Sequence, residues 1–151
     1  MWCDIHLAIE KKNKKTWKRS LLNRWDMIRE NDDWHKYLRS YISEPFKRID
    51  NRNYNNFCIM AWVRDYRGNY RPMQSDRWIP EDTCNVIKER HKQWEWDAHS
   101  EWRLTFDEIL NYDIWDQDIE KVTVIDCIKE FKNNSKIKDM SLFRLVFFFD
   151  N

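Results

Sequence analysis

The sequence predicts an α+β fold: a single domain over residues 1–151, with a small sheet that includes both the opening and the closing strand and is covered by helices. Three observations predict it. The opening stretch "CDIHLAIE" (3–10) alternates with the period of two that a strand requires. The closing stretch "LFRLVFFFD" (142–150) is apolar on nearly both faces, which suits a strand in the middle of a sheet with material packed on each side. Between the two, the apolar spacing becomes helical.

In the first strand Cys3, Ile5, Leu7 and Ile9 share one face, and Asp4, His6, Ala8 and Glu10 share the other. Residues 16–50 carry weaker helical spacings, Trp17, Leu21, Trp25 and Ile28, then Trp34, Leu38 and Ile42. "NYNNFCIMAWVR" (53–64) places Tyr54, Phe57, Cys58, Ala61 and Trp62 on one stripe, predicting an amphipathic helix with Asn53 as its N-cap. Residues 65–82 hold the only glycine, Gly68, with Pro72 and Pro80, and are predicted to form a long loop. A helix is predicted over 82–94, followed by a loop around Asp97, His99 and Ser100. Thr105 with Glu108 three residues on is a capping-box pattern for a short helix. Ile119, Val122, Ile125, Ile128 and Phe131 predict a last helix within 116–134, against the strand preference of "VTVI".

Composition bounds the function. A chain of 151 residues is long enough to bury a core without disulfide staples. Its ten Trp, eight Phe and six Tyr supply large apolar area. A single Gly excludes the GxGxxG and GxxxxGK[ST] phosphate loops, which need several glycines for close backbone approach. With 27 basic and 26 acidic residues there is no global field for an extended nucleic acid. The local run "KKNKKTWKR" (11–19) suits either a nucleic-acid arm or a solvated loop. No apolar run approaches the ~18 residues of a membrane span, and the first ten residues lack the pattern of a cleavable leader, so a cytoplasmic location is expected. The four cysteines (3, 58, 84 and 127) show no CxxC spacing. They are expected to be free thiols, with Cys58 and Cys127 in the core.

Four polar groups could carry chemistry. Asp4 and His6 lie side by side on one strand face, which is either a site or an ordinary solvated surface. Arg52, Asn53 and Tyr54 enter a helix, where an arginine beside unpaired N–H groups could meet an anion. Asp97, His99 and Ser100 sit in "WEWDAHSEWRLT" (94–105) among Trp94, Trp96 and Trp102. Asp150 and Asn151 end the last strand and read as a solvated end. His6 and His99 with Asp4 or Asp97 have the donor types of a Zn, Mn or Fe site, but no metal-binding spacing such as HExxH is present. Ser100 has no GxSxG elbow, and Cys3 and His6 face opposite ways on a strand, so nucleophilic catalysis has no support. Aromatic faces stack on nucleobases and arginines grip phosphates, a combination that suits a nucleotide-sized ligand.

"CDIHLAIE" (3–10), "RNYNNFCIMAWVRD" (52–65), "IPED" (79–82), "WDAHSEWRLT" (96–105) and "RLVFFFDN" (144–151) occur in that order. Together they resemble a family of small bacteriophage proteins. Its members open with C-D-I-H, carry R-N-Y-x-x-F followed by V-R, then L-P-x-D and an H-S-x-S-W-L-T block, and end in F-D-N. This chain departs from the pattern at Ala98, Glu101 and Arg103, and lacks the family's glycines after "VRDYRG". The resemblance implies a phage or prophage origin and, by analogy with other small phage proteins, a counter-defence role in the cytoplasm of the infected cell.

The leading expectation is a protein that binds and sequesters a small nucleotide-like signal, with Asp4, His6, Arg52, Asn53, Tyr54, Asp97, His99, Ser100 and Trp102 lining the pocket. No catalytic or metal-ligating residue and no cofactor is assigned. Two alternatives stay open. One is a nucleotide or phosphodiester hydrolase using His6 and His99 with carboxylates. The other is an inhibitor of a host defence protein anchored by surface Trp. A second copy of the chain, in a homo-oligomer, is a further partner to consider; a membrane is not.

Overall fold

The computed structural model describes residues 3–12, 25–27, 49, 52–63, 71–74, 77–114 and 122–150. Strands β1 (Asp4–Lys12), β2 (Trp25–Met27), β3 (His99–Thr105) and β4 (Phe143–Asp150) form one sheet in the order β2-β1-β4-β3. Every neighbouring pair is antiparallel. Helices α1 (Tyr54–Ala61), α2 (Asn85–Gln93), α3 (Phe106–Leu110) and α4 (Val124–Asn134) cover it, and a 3-10 turn (Met140–Leu142) leads into β4. The fold is α+β, and the opening and closing strands are direct neighbours from Asp4↔Asp150 to Lys11↔Phe143.

This register decides what each face buries. Ile5, Leu7 and Ile9 lie opposite Phe149, Phe147 and Leu145. With Trp102 and Leu104 of β3 they meet Phe57, Ile59 and Met60 of α1, Phe106 and Ile109 of α3, and Ile128 of α4 in the main core. The other face carries Ala8, Val146 and Phe148, closed by Ile79, Cys84 and Ile87 in a smaller second core under α2. Both faces of β4 are therefore covered, and all eight of its residues are buried. Fully burying an aromatic or branched side chain contributes about 1.5–3 kcal/mol, so β4 is the largest single source of stability in the sheet.

The polar face of β1 is not a solvated surface. Glu10 is fully buried and Arg144, its cross-strand partner, nearly so. Glu10 Oε1 accepts from Arg144 Nε at 2.7 Å, and Oε2 accepts from the Thr83 hydroxyl at 2.7 Å and the Cys84 N–H at 2.6 Å. Cys84 is the N-cap of α2, so the Glu10 carboxylate, bonded to the N–H of that residue, lies beside the positive end of the helix. Asp82 accepts from the far side of the Arg144 guanidinium at 3.1 Å. Each group in this buried set has a partner, the condition under which a buried ion pair is tolerated.

Other expectations meet the structure unevenly. Thr105 and Glu108 form the predicted capping box at α3. The predicted loop through His99 and Ser100 is instead β3, and Trp25 lies in β2 rather than in a helix. The rest of the 16–50 reading, and most of the basic run 11–19, lies outside the described residues. Helix α1 is buried over Asn56–Ala61 rather than on one stripe, and Trp62 is its exposed left-handed C-cap (φ 60°), not part of the packed face. The last helix starts at Val124, where the buried Asn56 side chain accepts from the Thr123 and Val124 N–H groups at 2.9 and 3.1 Å. All four cysteines are buried and none is in a disulfide.

Replacing Glu10 by alanine takes the Nε partner from the buried Arg144, leaving Asp82 on its far side, and removes the carboxylate bonded to the start of α2. A loss of about 3–5 kcal/mol in urea unfolding is expected. A loss below about 1 kcal/mol, the size of a surface pair, would show that this network does not hold α2.

Candidate functional site

Where β1 begins and β4 ends, five polar residues link end to end. Arg52 donates through Nε and Nη2 to the two carboxylate oxygens of Asp4, the Nη2 bond at 3.0 Å. Asp4 donates its backbone N–H to Asp150 Oδ1 at 3.1 Å, and the other oxygen of Asp150 meets His6 Nε2 at 2.8 Å. On the far side of the ring, Arg90 of α2 donates Nε–H to His6 Nδ1 at 3.2 Å. The formal charges balance, with two carboxylates against two guanidiniums.

These contacts fix the state of His6. A guanidinium can only donate, so Nδ1 carries a lone pair, and the proton must sit on Nε2, where it is given to Asp150. His6 is buried and stacks on Phe148 with centroids 4.7 Å apart, while Trp94 tilts over it at 5.1 Å. Burial lowers its pKa below 6.5; Asp150 opposes that shift and Arg90 reinforces it. The ring is neutral at neutral pH, with both nitrogens engaged. Arg90 lies over the Trp94 ring at 5.7 Å, half-buried. Its Nη groups, by contrast, donate to none of the described residues.

Asp4, His6 and Arg52 therefore come together as the sequence suggested. Tyr54 is adjacent, its hydroxyl accepting from the Cys3 N–H at 3.4 Å, but its ring packs on Phe57 in the main core. Asn53 caps α1 through the Asn56 N–H and reaches Thr123, both structural tasks. Asp97 stands exposed in the turn after α2.

His99, Ser100 and Trp102 lie on or beside the opposite face. His99 pairs with Phe149 and stacks on its ring at 6.1 Å, whereas His6 belongs to the Phe148 face. Neighbouring residues of a strand point to opposite faces, so the sheet separates the two histidines. They cannot share one metal ion or act as an acid–base pair. Among the described residues no group of three or more His, Cys, Asp or Glu side chains is placed to hold a metal. The bulge in β3 explains the placement. From His99↔Phe149 to Trp102↔Phe147, β3 advances three residues while β4 advances two, with Ser100 in the left-handed region at φ 52°. His99 Nδ1 meets Ser100 Oγ at 3.0 Å. His99 Nε2 and Trp102 Nε1 are buried and bond to none of the described residues. An unpaired buried donor costs about 1–3 kcal/mol.

Three residues of the His6 cluster escaped the sequence reading as members of a site. Asp150 was expected to be solvated and is buried against His6. Its signal was available: if the end strands are antiparallel neighbours, "CDIH" meets "FFDN". Arg90 and Trp94 belong to an ordinary-looking helix and the turn after it, with no pattern to mark them. Cys84, the thiol nearest the α2 terminus, has its pKa pushed up to about 12 by burial with Glu10 beside it, so it is no nucleophile at neutral pH. No protein-family model, no curated protein and no solved structure matches this chain.

The buried neutral His6 makes stability depend on pH. Its folded pKa lies below 6.5, so the unfolded chain takes up the proton first as pH falls. The contribution is complete above 6.5 and is lost as pH drops from there through the lowered folded value. Melting temperatures across this range should fall more steeply for the wild type than for His6→Gln, with a difference of at most about 1.4 kcal/mol per pH unit. Parallel curves would remove His6 as the titrating group.

Proposed function

We propose that this protein binds a small, phosphate-bearing, nucleotide-like ligand beside the Arg52–Asp4–Asp150–His6–Arg90 chain and keeps it intact. The observation that carries the reading is the posture of Arg90. Its Nε is bound to His6 and its guanidinium carbon lies over the Trp94 ring, 5.7 Å from the centroid, while its terminal amino groups donate to none of the described residues. A guanidinium held in this way has lost its rotamer freedom in advance and presents the paired donors that suit a phosphate. The indole beside it offers a face for a base. Retention is favoured over turnover because His6, the one group there suited to proton transfer at neutral pH, has no lone pair or proton to spare. The resemblance to phage proteins supplies the setting: a sponge for a nucleotide signal of host defence.

Titration calorimetry with cyclic dinucleotides and ADP-ribose, followed by heat release and mass spectrometry, tests the reading. Saturable binding with intact ligand recovered is expected. Arg90→Ala should weaken binding about tenfold or more, the worth of one charge-assisted hydrogen bond, together with a modest fall in melting temperature from the unpairing of His6 Nδ1. An altered product would make the protein a hydrolase, and no binding would overturn the proposal.

A second reading rests on a different observation. Trp62, Trp78 and Trp96 are exposed, Trp96 at 95%. Exposed tryptophans are the common anchors of protein interfaces, so an inhibitor of a host protein is the alternative. Loss of counter-defence in Trp78→Ala/Trp96→Ala with ligand binding unchanged would favour it.

A further inference from the structure

We infer that the outer edge of β3 is a self-association surface, on which a second copy of this chain lays its own β3 as an antiparallel strand. The inference does not rest on ligand binding beside Arg90. Three observations carry it.

The first is the open edge. β3 ends the sheet order β2-β1-β4-β3, with β4 as its one strand neighbour among the described residues. Thr105 gives its N–H to the Glu108 side chain at 2.9 Å, so its main-chain groups turn away from β4. Main-chain direction alternates along an antiparallel strand, so Arg103 and Glu101 turn outward with it. Beyond the ladder to β4, neither makes a main-chain bond among the described residues. A row of unpaired N–H and C=O groups is a template for another strand.

The second is the order of charges. Residues two apart share a strand face, and both Glu101 and Arg103 lie on the α2 side. Glu101 Oε1 meets His91 Nε2 of α2, and Arg103 Nη1 donates to the Trp78 carbonyl at 3.0 Å. Oε2 of Glu101, and Nε and Nη2 of Arg103, bond to none of the described residues. Edge charges of one sign repel a second copy, but here an acid is followed by a base. When two β3 strands pair antiparallel about Trp102, Glu101 of each copy stands opposite Arg103 of the other. These are also the residues whose main-chain groups turn outward, so each pair exchanges both main-chain bonds. One register thus satisfies backbone and charge together.

The third is access. The Arg103–Trp78 contact lies at the surface, and Trp78 is 66% exposed. Its ring stands edge-on to His91, whose other neighbour is Glu101, so an exposed indole flanks the charged pair. Burying a tryptophan removes on the order of 150–250 Å² from water, area that main-chain bonds alone do not supply. Tryptophan is enriched in interfaces for this reason.

Sedimentation velocity of the full chain over a concentration series tests the inference. A reversible dimer with a Kd in the micromolar range is expected, the strength of a small interface. Arg103→Glu sets acid opposite acid in both pairs, and Glu101→Lys sets base opposite base. Each should weaken the dimer at least about tenfold. An equimolar mixture of the two variants should dimerise again, because every acidic side chain at these positions then faces a basic one. Circular dichroism melting checks that each variant is folded. Glu101→Lys also loses His91; if it does not fold, Arg103→Glu beside Arg103→Lys decides, the first monomeric and the second dimeric. A wild type that stays monomeric up to about 1 mM overturns the proposal and leaves the edge to a different protein. So does an Arg103→Glu dimer as tight as the wild type, which would place the contact elsewhere, or a mixture that associates no better than its components.

Discussion

The antiparallel pairing of β1 with β4 is the constraint on which the rest depends. Because side chains alternate with period two, the register Asp4↔Asp150 to Lys11↔Phe143 assigns every residue of both strands to one of two faces. It places Leu7 against Phe147 in the main core and His6 beside Asp150 under α2. A slip of one residue would send the phenylalanines of β4 to the wrong layers and break both buried polar networks at once. The pairing joins segments 144 residues apart at the His6–Asp150 bond, so it closes a long loop before it gains any stability. The density of aromatic side chains in "LFRLVFFFD" offsets that cost.

The second face is held by chemistry rather than by apolar area. Helix α2 buries only Ile87 fully, with Val86 packed against the same core and the His91 ring edge-on to Phe148, and its other ties are polar. Glu10 binds its N-cap, Arg90 binds His6, and His91 Nε2 meets Glu101 of β3 at 2.9 Å. Hydrogen bonds of this kind are worth little in water and much more where water is excluded, because a broken partner is left buried. The same ties bear on the proposed function. They set the guanidinium of Arg90 over Trp94 in one orientation and use up both nitrogens of His6. A site built this way is suited to holding a ligand and poorly suited to moving a proton.

Much of this frame was legible from residues 3–10 and 142–150, since strand periodicity and two-sided hydrophobicity are properties of short segments. The capping box at Thr105 was legible for the same reason. What was hidden depends on partners distant in sequence. The strand face that carries His6 and Glu10 could be a site or a solvated surface, because alternation looks identical whether a polar face meets water or buried partners. β3 read as a loop because its bulge at Ser100 breaks the alternation that Trp102 and Leu104 would otherwise reveal. Grouping His99 with His6 followed from that loop; as a strand, β3 places them on opposite faces. Arg90 carries no local mark at all, and its role appears only when α2 is laid across the sheet.

The claim that this end of the sheet binds rather than catalyses rests on the state of one ring. Nitrogen-15 NMR of the His6 imidazole at neutral pH measures it directly. The structure predicts a neutral ring with its proton on Nε2, toward Asp150, and a bare Nδ1 that accepts from Arg90. A proton on Nδ1, or on both nitrogens, would mean that the Arg90 bond does not exist and that His6 is available for proton transfer.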